Sequence, residues 1–581
     1  MINWLQSRER KKLVVTPDLQ DIKPKLLAAM STGFLQWPEL TSPVYAVSTN
    51  SLLGNNSSDQ DVKAPHFLVV AGPTPLHAKR VPGSLIILPF ERHWLLEDDV
   101  FSKIALGLVK GCSAGFREKE MQFEFVGNWR AKHLACEFAG ETAATECESI
   151  ECESLLSGRV GSVDRVGFWN ALASACLTEA VPLDKVLDRI FIRHTAWFSP
   201  YSGVPISSRE AFEIFALVQS NWQKNAKPVH AFGAQYWNHP SIAATFSGQG
   251  GPVEFHETKE EAISAAIATG GEIVSWAGRT DKEFEAECER KSIPLSRIED
   301  GFLRSVGLGA GLARGAMLAV DDLGIYYDPS RPSRLEDLLK NYNLTVTELA
   351  RGRDLVSLIK ASRVSKYNFG KSKKFLFPKD RKTILIPGQV ADDAAIRKSR
   401  SATIDCAKTP NVNLDLLKLT RERNPDAFLV FKPHPDVETG LRKGRVPKNV
   451  ALQYADEVAE AANIVDLIEA VDALETFSSL SGFEALLRSK EVTVHGAPFY
   501  AGWGLTKDLT EIEGRGRNRS MPELVYLAIV RYSRTIDPVS LLPCTPEYLV
   551  SRLSEQRLDR RHLIVTAVKR HSSWLGRKLG I

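Results

Sequence analysis

No two cysteines of this sequence stand in a C-x-x-C arrangement. The eight (Cys112, Cys136, Cys147, Cys152, Cys176, Cys288, Cys406 and Cys544) are scattered through 581 residues, a distribution of reduced thiols rather than of a disulfide frame. Cys136, Cys147 and Cys152 lie close together, but no histidine spacing completes a zinc pattern around them. No stretch reaches about eighteen apolar residues without charges, so no membrane span is expected. The opening residues, MINWLQSRERKKLVV, have no apolar core ahead of a small-residue cleavage site and do not read as a secretory signal. An excess of one charge is missing too. The 74 Lys and Arg against 70 Asp and Glu leave a net +4, and the basic residues are dispersed except at the C-terminus, so nucleic acid is not an expected partner. These absences together point to a cytoplasmic protein with, at most, peripheral membrane contact.

What is present is a globular composition, 44% hydrophobic and 25% charged, in a chain long enough for roughly two to four domains. Residues 1–225 carry few signals. PHFLVVAG (65–72) and SLIILPF (84–90) read as buried strands and WNALASACL (169–177) as a helix. From 226 a regular alternation begins. KPVHAFG, VEFHET, EIVSWAG and LSRIED read as strands, with helices at 259–269 and 281–292 between them. A basic linker (365–382) precedes a second run: strands TILIPGQ, AFLVFKPHP, VDALETF and EVTVHG, with the helix SLSGFEALLRS. The expected fold is α/β, two Rossmann-like lobes with parallel sheets spanning 226–365 and 366–555, preceded by an α/β region and followed by a basic tail, 556–581. Ligands of such lobes sit at the C-terminal ends of the strands. RHTAWFSPYSGVPISS (193–208) and RYSRTIDPVSLLPCTP (531–546) also share Arg, Pro, Ser, Pro and Ser/Thr at equal spacing, a faint internal repeat.

Several constellations carry chemistry. In 472–490 a strand, a tight turn and a helix bring Ser478, Ser479 and Ser481 to the helix start, where free N–H groups and the dipole favour an anion. Gly482 allows close backbone approach there. The alternative is plain N-capping. Glu484, one turn in, is suited to ribose hydroxyls or is a surface helix residue. Lys432 and His434 stand just beyond a buried strand, with prolines denying the loop helix. Such a histidine donates to a phosphate, protonates a leaving group, or is structural. Glu299 and Asp300 end a strand. Since neighbours in extended chain point to opposite faces, one is expected to enter the cleft and act as base or nucleophile while the other supports the loop. Arg304 is suited to a substrate carboxylate or to pairing with Glu299. Gln389, Asp392 and Asp393 stand at the mouth of the second lobe, the aspartates suggesting either a divalent metal or an N-cap. Tyr326, Tyr327 and Asp328 precede a Pro-rich turn and read as a short hairpin rather than as a site. APFYAGWGLT (497–506) suits a loop over a sugar or base.

EDGFLRSVGLGAGL, GIYYDPSRPSRLEDLL, PGQVADDAAIR, FKPHPDV and SSLSGFEALLRSKEVTVHGAPFYAGWGLT occur in series between 227 and 555. Together they resemble the capsule polysaccharide β-Kdo transferases, where Kdo is 3-deoxy-octulosonic acid. The resemblance implies a two-lobed GT-B-related fold and retaining transfer of β-Kdo from CMP-Kdo to a lipid-linked oligo-Kdo acceptor in capsule biosynthesis. It implies Asp300 as the nucleophile, and His434, Ser478 and Ser479 as ligands of the CMP phosphate. No obligatory metal or other cofactor is implied, because CMP leaves readily once its phosphate is held by donors. Partners implied or read from the tail are the lipid-linked acceptor, the anionic inner leaflet and the capsule assembly and export machinery. Members often carry two modules. The first 225 residues lack E-D-G-F, K-P-H-P and S-S-x-S-G-F-E, so they are either a worn first module or an unrelated addition. Transfer of another CMP-nonulosonic acid, or non-catalytic glycolipid binding in capsule assembly and export, stand as alternatives.

Overall fold

Short β-branched runs alternate with capped helices to give two six-stranded sheets. A computed structural model describes residues 208–559 except 307–313, 367, 369–372, 407, 439 and 441, together with 84–86, 122–124, 176–181, 195–199, 201 and 205–206. The chain divides into two compact units, Met1–Gln223 and Lys224–Ile581. Of the N-terminal expectations, Ser84–Ile86 is a strand and residues 176–178 are helical. The run at 65–72, the rest of 169–177 and the Cys136–Cys152 group lie outside the described residues. The four described cysteines are free thiols. No helix among the described residues is long and apolar enough to cross a membrane.

The first sheet of the larger unit contains β1 (Val229–Phe232), β2 (Glu254–His256), β3 (Glu272–Trp276), β4 (Leu295–Asp300) and β5 (Met317–Asp321). Its helices start on sequence signals. Thr258 and Glu261 form a capping box for Lys259–Thr269, and the Asp281 carboxylate accepts from Phe284 N–H to open Lys282–Arg290. The second sheet contains β6 (Thr383–Pro387), β7 (Phe428–Lys432), β8 (Glu457–Val458), β9 (Ala473–Thr476), β10 (Glu491–Val494) and β11 (Lys507–Asp508). Its order is β8-β7-β6-β9-β10-β11, parallel throughout. The inner strands are buried on both faces, as a parallel sheet between helices requires, with Ile384, Ile386, Leu429 and Phe431 packed on Leu416, Leu417 and Phe477.

The first sheet departs from the all-parallel expectation. Its order is β12-β5-β4-β3-β1-β2, where β12 is Ser533–Thr535. β5 runs antiparallel to β4, and β12 antiparallel to β5. The chain therefore leaves the second sheet and crosses back, so the span 366–555 gives its last elements to the first sheet. The return covers what would otherwise be an open edge. It is held by close helix packing, since a Cβ on Gly352 of the helix Val346–Ser362 would stand 2.3 Å from the Pro522 carbonyl oxygen.

The faint repeat has a structural counterpart. Thr195–Phe198 is a strand, Phe198 pairs with Pro205, and a helix opens at Ser208. At the matching positions Ser533–Thr535 is a strand, Ile536 bridges Pro543, and a helix opens at Pro546.

Gly352→Ala forces the two helix backbones apart and is expected to destabilise the protein by about 1–3 kcal/mol. Urea denaturation followed by circular dichroism measures this, and an unchanged midpoint would show that the crossing tolerates a methyl group.

Candidate functional site

A cavity of about 1340 Å³ opens between the C-terminal ends of the two sheets. The first lobe contributes Glu299, Asp300, Arg304, Tyr326 and Tyr327 to its wall, and the second contributes Gln389, Lys432, His434, Ser478, Ser479, Ser481 and Glu484. Of the candidates named from the sequence, only Gly482 is absent from the lining.

The carboxylates sit where β4 ends. Both line the cavity, so the expectation that one would turn away fails: Glu299 curls back and its Oε1 accepts the Asp300 N–H at 3.1 Å. Asp300 Oδ2 lies 2.6 Å from Arg304 Nε, while Oδ1 is buried without a hydrogen-bond partner among the described residues. Arg304 is 1% exposed and its Nη1 donates to Ser305 Oγ. Its partner is thus Asp300 rather than Glu299, and it sits beneath the carboxylate instead of reaching out for a substrate. Burial first, and then the Asp300 charge, push Glu299 up to about 8.

Tyr326 and Tyr327 are site residues rather than parts of a hairpin. The buried Asp321 carboxylate at the end of β5 accepts from the N–H groups of Leu323, Gly324 and Arg334 and from the Tyr532 hydroxyl. That grip fixes the turn between β5 and the helix Arg334–Asn341 and presents the tyrosines to the cavity. The Tyr326 hydroxyl reaches the Asp300 carbonyl at 3.4 Å, and its ring lies edge-on to Phe302.

On the opposite wall β9 ends in Thr476, and Ser479 caps the helix Leu480–Leu487 by accepting from Ser481 N–H. Capping and an anion cradle therefore coexist. The Leu480 N–H and the hydroxyl hydrogens of Ser478 and Ser481 have no acceptor among the described residues. Gln389 helps to shape this turn. Its Oε1 accepts from Ser478 N–H at 3.0 Å and its Nε2 donates to Ser478 Oγ at 3.3 Å. Gly482 also acts at one remove, because a Cβ there would stand 2.2 Å from the Tyr500 hydroxyl, which donates to the Ser479 carbonyl at 2.5 Å. Glu484 is buried, and its Oε1 accepts the N–H of Lys366 in the linker between the lobes. One oxygen is thus committed to the fold rather than to a ribose.

His434 Nδ1 accepts the Asp436 N–H at 3.2 Å, so the ring proton belongs on Nε2, which has no partner among the described residues. Burial, then the Lys432 charge, hold His434 down at about 3. The ring is a neutral donor at ordinary pH rather than a proton source. Burial likewise lowers Lys432, whose Nζ donates to the Pro433 carbonyl. Asp393 caps the short helix Ala394–Arg397 and Asp392 pairs with Arg442. The sequence reading missed Trp237, Trp276 and Arg279, which line the cavity from the end of β3 and from the turns after β1 and β3. The strand-end rule would have found them.

These features define a two-lobed α/β protein with a polar cleft that has acidic groups on one wall and hydrogen-bond donors on the other. The sequence profile described as capsule polysaccharide biosynthesis protein matches residues 272–535. The capsule polysaccharide modification protein LipA of Neisseria meningitidis is 35% identical over 350 residues, 60% of this chain and 48% of that protein. The lipopolysaccharide-processing protein LpsZ of Rhizobium meliloti is 39% identical over 348 residues, 57% of this chain and 77% of that one. A solved structure of Thermosulfurimonas dismutans KpsC, a beta Kdo 2,4 transferase, is 31% identical with a TM-score of 0.48, covering 57% of this chain and 98% of that one. The chain belongs to the capsule polysaccharide biosynthesis protein family. It spans about half the length of the curated LipA relatives that it matches.

Glu299 titrates near 8 in the folded protein against 4.5 ordinarily. The folded state then binds the extra proton between these values, so its stability falls as pH rises through that window. Glu299→Gln is expected to gain on wild type across it, by at most about 1.4 kcal/mol per pH unit. Thermal melts at pH 5 and pH 8 test this, and a gap that does not grow would sink the assignment.

Proposed function

We propose that this protein is a retaining glycosyltransferase that moves β-Kdo from CMP-Kdo onto a lipid-linked oligo-Kdo acceptor in capsule assembly. The observation that carries the reading is the pairing, within one cavity, of the Asp300 carboxylate with the donor-rich turn Ser478–Ser481 and His434 opposite. Family membership and the motif series resembling the β-Kdo transferases supply the substrate class.

In this mechanism the CMP phosphate lies in the serine turn. It takes the Leu480 N–H, the serine hydroxyls and His434 Nε2–H, with Lys432 behind them. The Asp300 carboxylate attacks the anomeric carbon, the bond to the phosphate oxygen breaks, and CMP leaves with the electron pair. The fixed donors meet the charge that develops there. The acceptor hydroxyl then attacks the same carbon, the ester bond to Asp300 breaks, and the second inversion restores the configuration, as in retaining glycosidases.

Glu299 suits the proton of the second step. Part of what raises it is the charge on Asp300. Once Asp300 is an ester that charge is gone, so Glu299 becomes a readier carboxylate when the acceptor proton needs a base. Arg304 keeps Asp300 oriented beforehand. Every step is served by groups of the chain itself, and no obligatory metal is invoked.

The acceptor of such a reaction is membrane-bound. We assign the anionic leaflet to the basic segment 560–581, where Arg560, Arg561, Lys569, Arg570, Arg577 and Lys578 are interleaved with Leu563, Ile564, Val565 and Trp574. Arg557, just before it, is occupied by the fold and donates to the Arg363 and Ser362 carbonyls.

Intact-protein mass after incubation with CMP-Kdo generated in situ tests the reaction. Wild type is expected to gain one Kdo without acceptor and to lose it when acceptor is added, whereas Asp300→Ala gains nothing. An adduct that persists in the variant would assign the nucleophile elsewhere, and no adduct and no CMP release in wild type would remove the reading. Truncation after Asp559 is expected to abolish most co-sedimentation with anionic vesicles. Full retention by the truncated protein would refute the membrane contact.

A further inference from the structure

At the outer edge of the first sheet, three side chains that the proposed reaction does not use converge on one point. In the parallel pair β1–β2, His230 stands opposite Glu254, and Glu254 and His256 fall on the same face of their strand. His230 Nδ1 lies 3.0 Å from His256 Nε2 and 3.4 Å from Glu254 Oε2, and His256 Nε2 lies 4.0 Å from that carboxylate oxygen. A tetrahedral zinc shell with bonds of about 2.0–2.1 Å spaces its ligand atoms by roughly 3.3 Å, within the range of these separations.

The tautomer of His230 follows from its other neighbour. Thr269 Oγ1 donates to the Ala265 carbonyl at 2.9 Å, which leaves it a lone pair to accept from His230 Nε2–H at 2.8 Å. The Nδ1 lone pair of His230 therefore points at His256 and Glu254. A ring fixed through its far nitrogen by a hydrogen-bond acceptor is the orientation that metal-binding histidines adopt. His230 is 1% exposed, His256 15% and Glu254 60%, so the cluster has a buried floor and an open mouth through which an ion and a water can enter.

We propose that His230, His256 and Glu254 bind a divalent transition-metal ion of the zinc class, with water in the fourth position. The ion ties the three-residue edge strand β2 to β1 and, through Thr269, to the end of the helix Lys259–Thr269. It is separate from the cavity and has no part in transfer, so loss of this site and failure of the proposed reaction are read by different measurements.

The test uses the full chain stripped of metal and titrated with Zn²⁺ by calorimetry, then with Co²⁺ by visible absorption. Wild type is expected to bind one equivalent with the spectrum of a four-coordinate nitrogen and oxygen site, and to melt at higher temperature as Zn²⁺ is added. His256→Ala, checked for folding by circular dichroism, is expected to weaken binding at least about tenfold, and the milder Glu254→Gln to weaken it as well. The proposal is overturned if wild type takes up no stoichiometric metal, which leaves a hydrogen-bonded histidine pair. It is equally overturned if both variants bind like wild type. Thiolate charge-transfer bands in the Co²⁺ spectrum would assign the ion to cysteines instead.

Discussion

The cleft is organised around the backbone of one linker residue. The Lys366 carbonyl accepts the N–H groups of Arg304 and Ser305, while its own N–H goes to the buried Glu484 carboxylate. Polar groups buried this deeply must find partners. The loop below Asp300, the linker and the serine-capped helix therefore satisfy one another or not at all. The aromatic packing of Phe302 against Phe499 and Phe483 closes the same junction from its apolar side. This joint ties the acidic wall to the donor wall.

Local chemistry within each wall follows from its scaffold. The serine turn is shaped from behind by Gln389 and Tyr500, so its remaining hydrogens face the cavity. Asp300 is held by Arg304 through Oδ2, which fixes the carboxylate at the cavity wall. Glu299 stays protonated well above the ordinary carboxylate range because it is enclosed beside a neighbouring negative charge. The two adjacent carboxyls thus differ through their surroundings, the general way in which paired acids acquire separate roles.

Much of this was legible in the sequence because the signals were local. KPVHAFG, EIVSWAG, LSRIED, TILIPGQ, AFLVFKPHP and VDALETF hold strands within three residues of their ends, and the capping residues Thr258, Asp281 and Ser479 open helices where their chemistry predicts. What escaped depends on partners distant in the chain. Nothing periodic announces that Asp321 will gather three N–H groups and turn Tyr326 and Tyr327 into the cavity. Gln389 and Gly482 carry the composition of a binding motif, yet both act through a third residue. Ser533–Thr535 is too short and polar to read as a strand, and its partner lies far upstream. His230 sits on one strand and Glu254 and His256 on its neighbour, so only the register of a parallel pair brings the three together.

The return of Ser533–Thr535 to the first sheet also orders events at the ribosome. The edge strand Met317–Asp321 emerges early but has no partner on its outer side until the second sheet has been made. Roughly 200 residues separate the two, which at 5–20 residues per second is on the order of 10–40 s of synthesis. For that time the nascent first lobe carries an open edge and an Asp321 still waiting for Tyr532. Completion of the first lobe is therefore gated by translation of the second, and the polypeptide is most open to mispairing or chaperone capture in that interval.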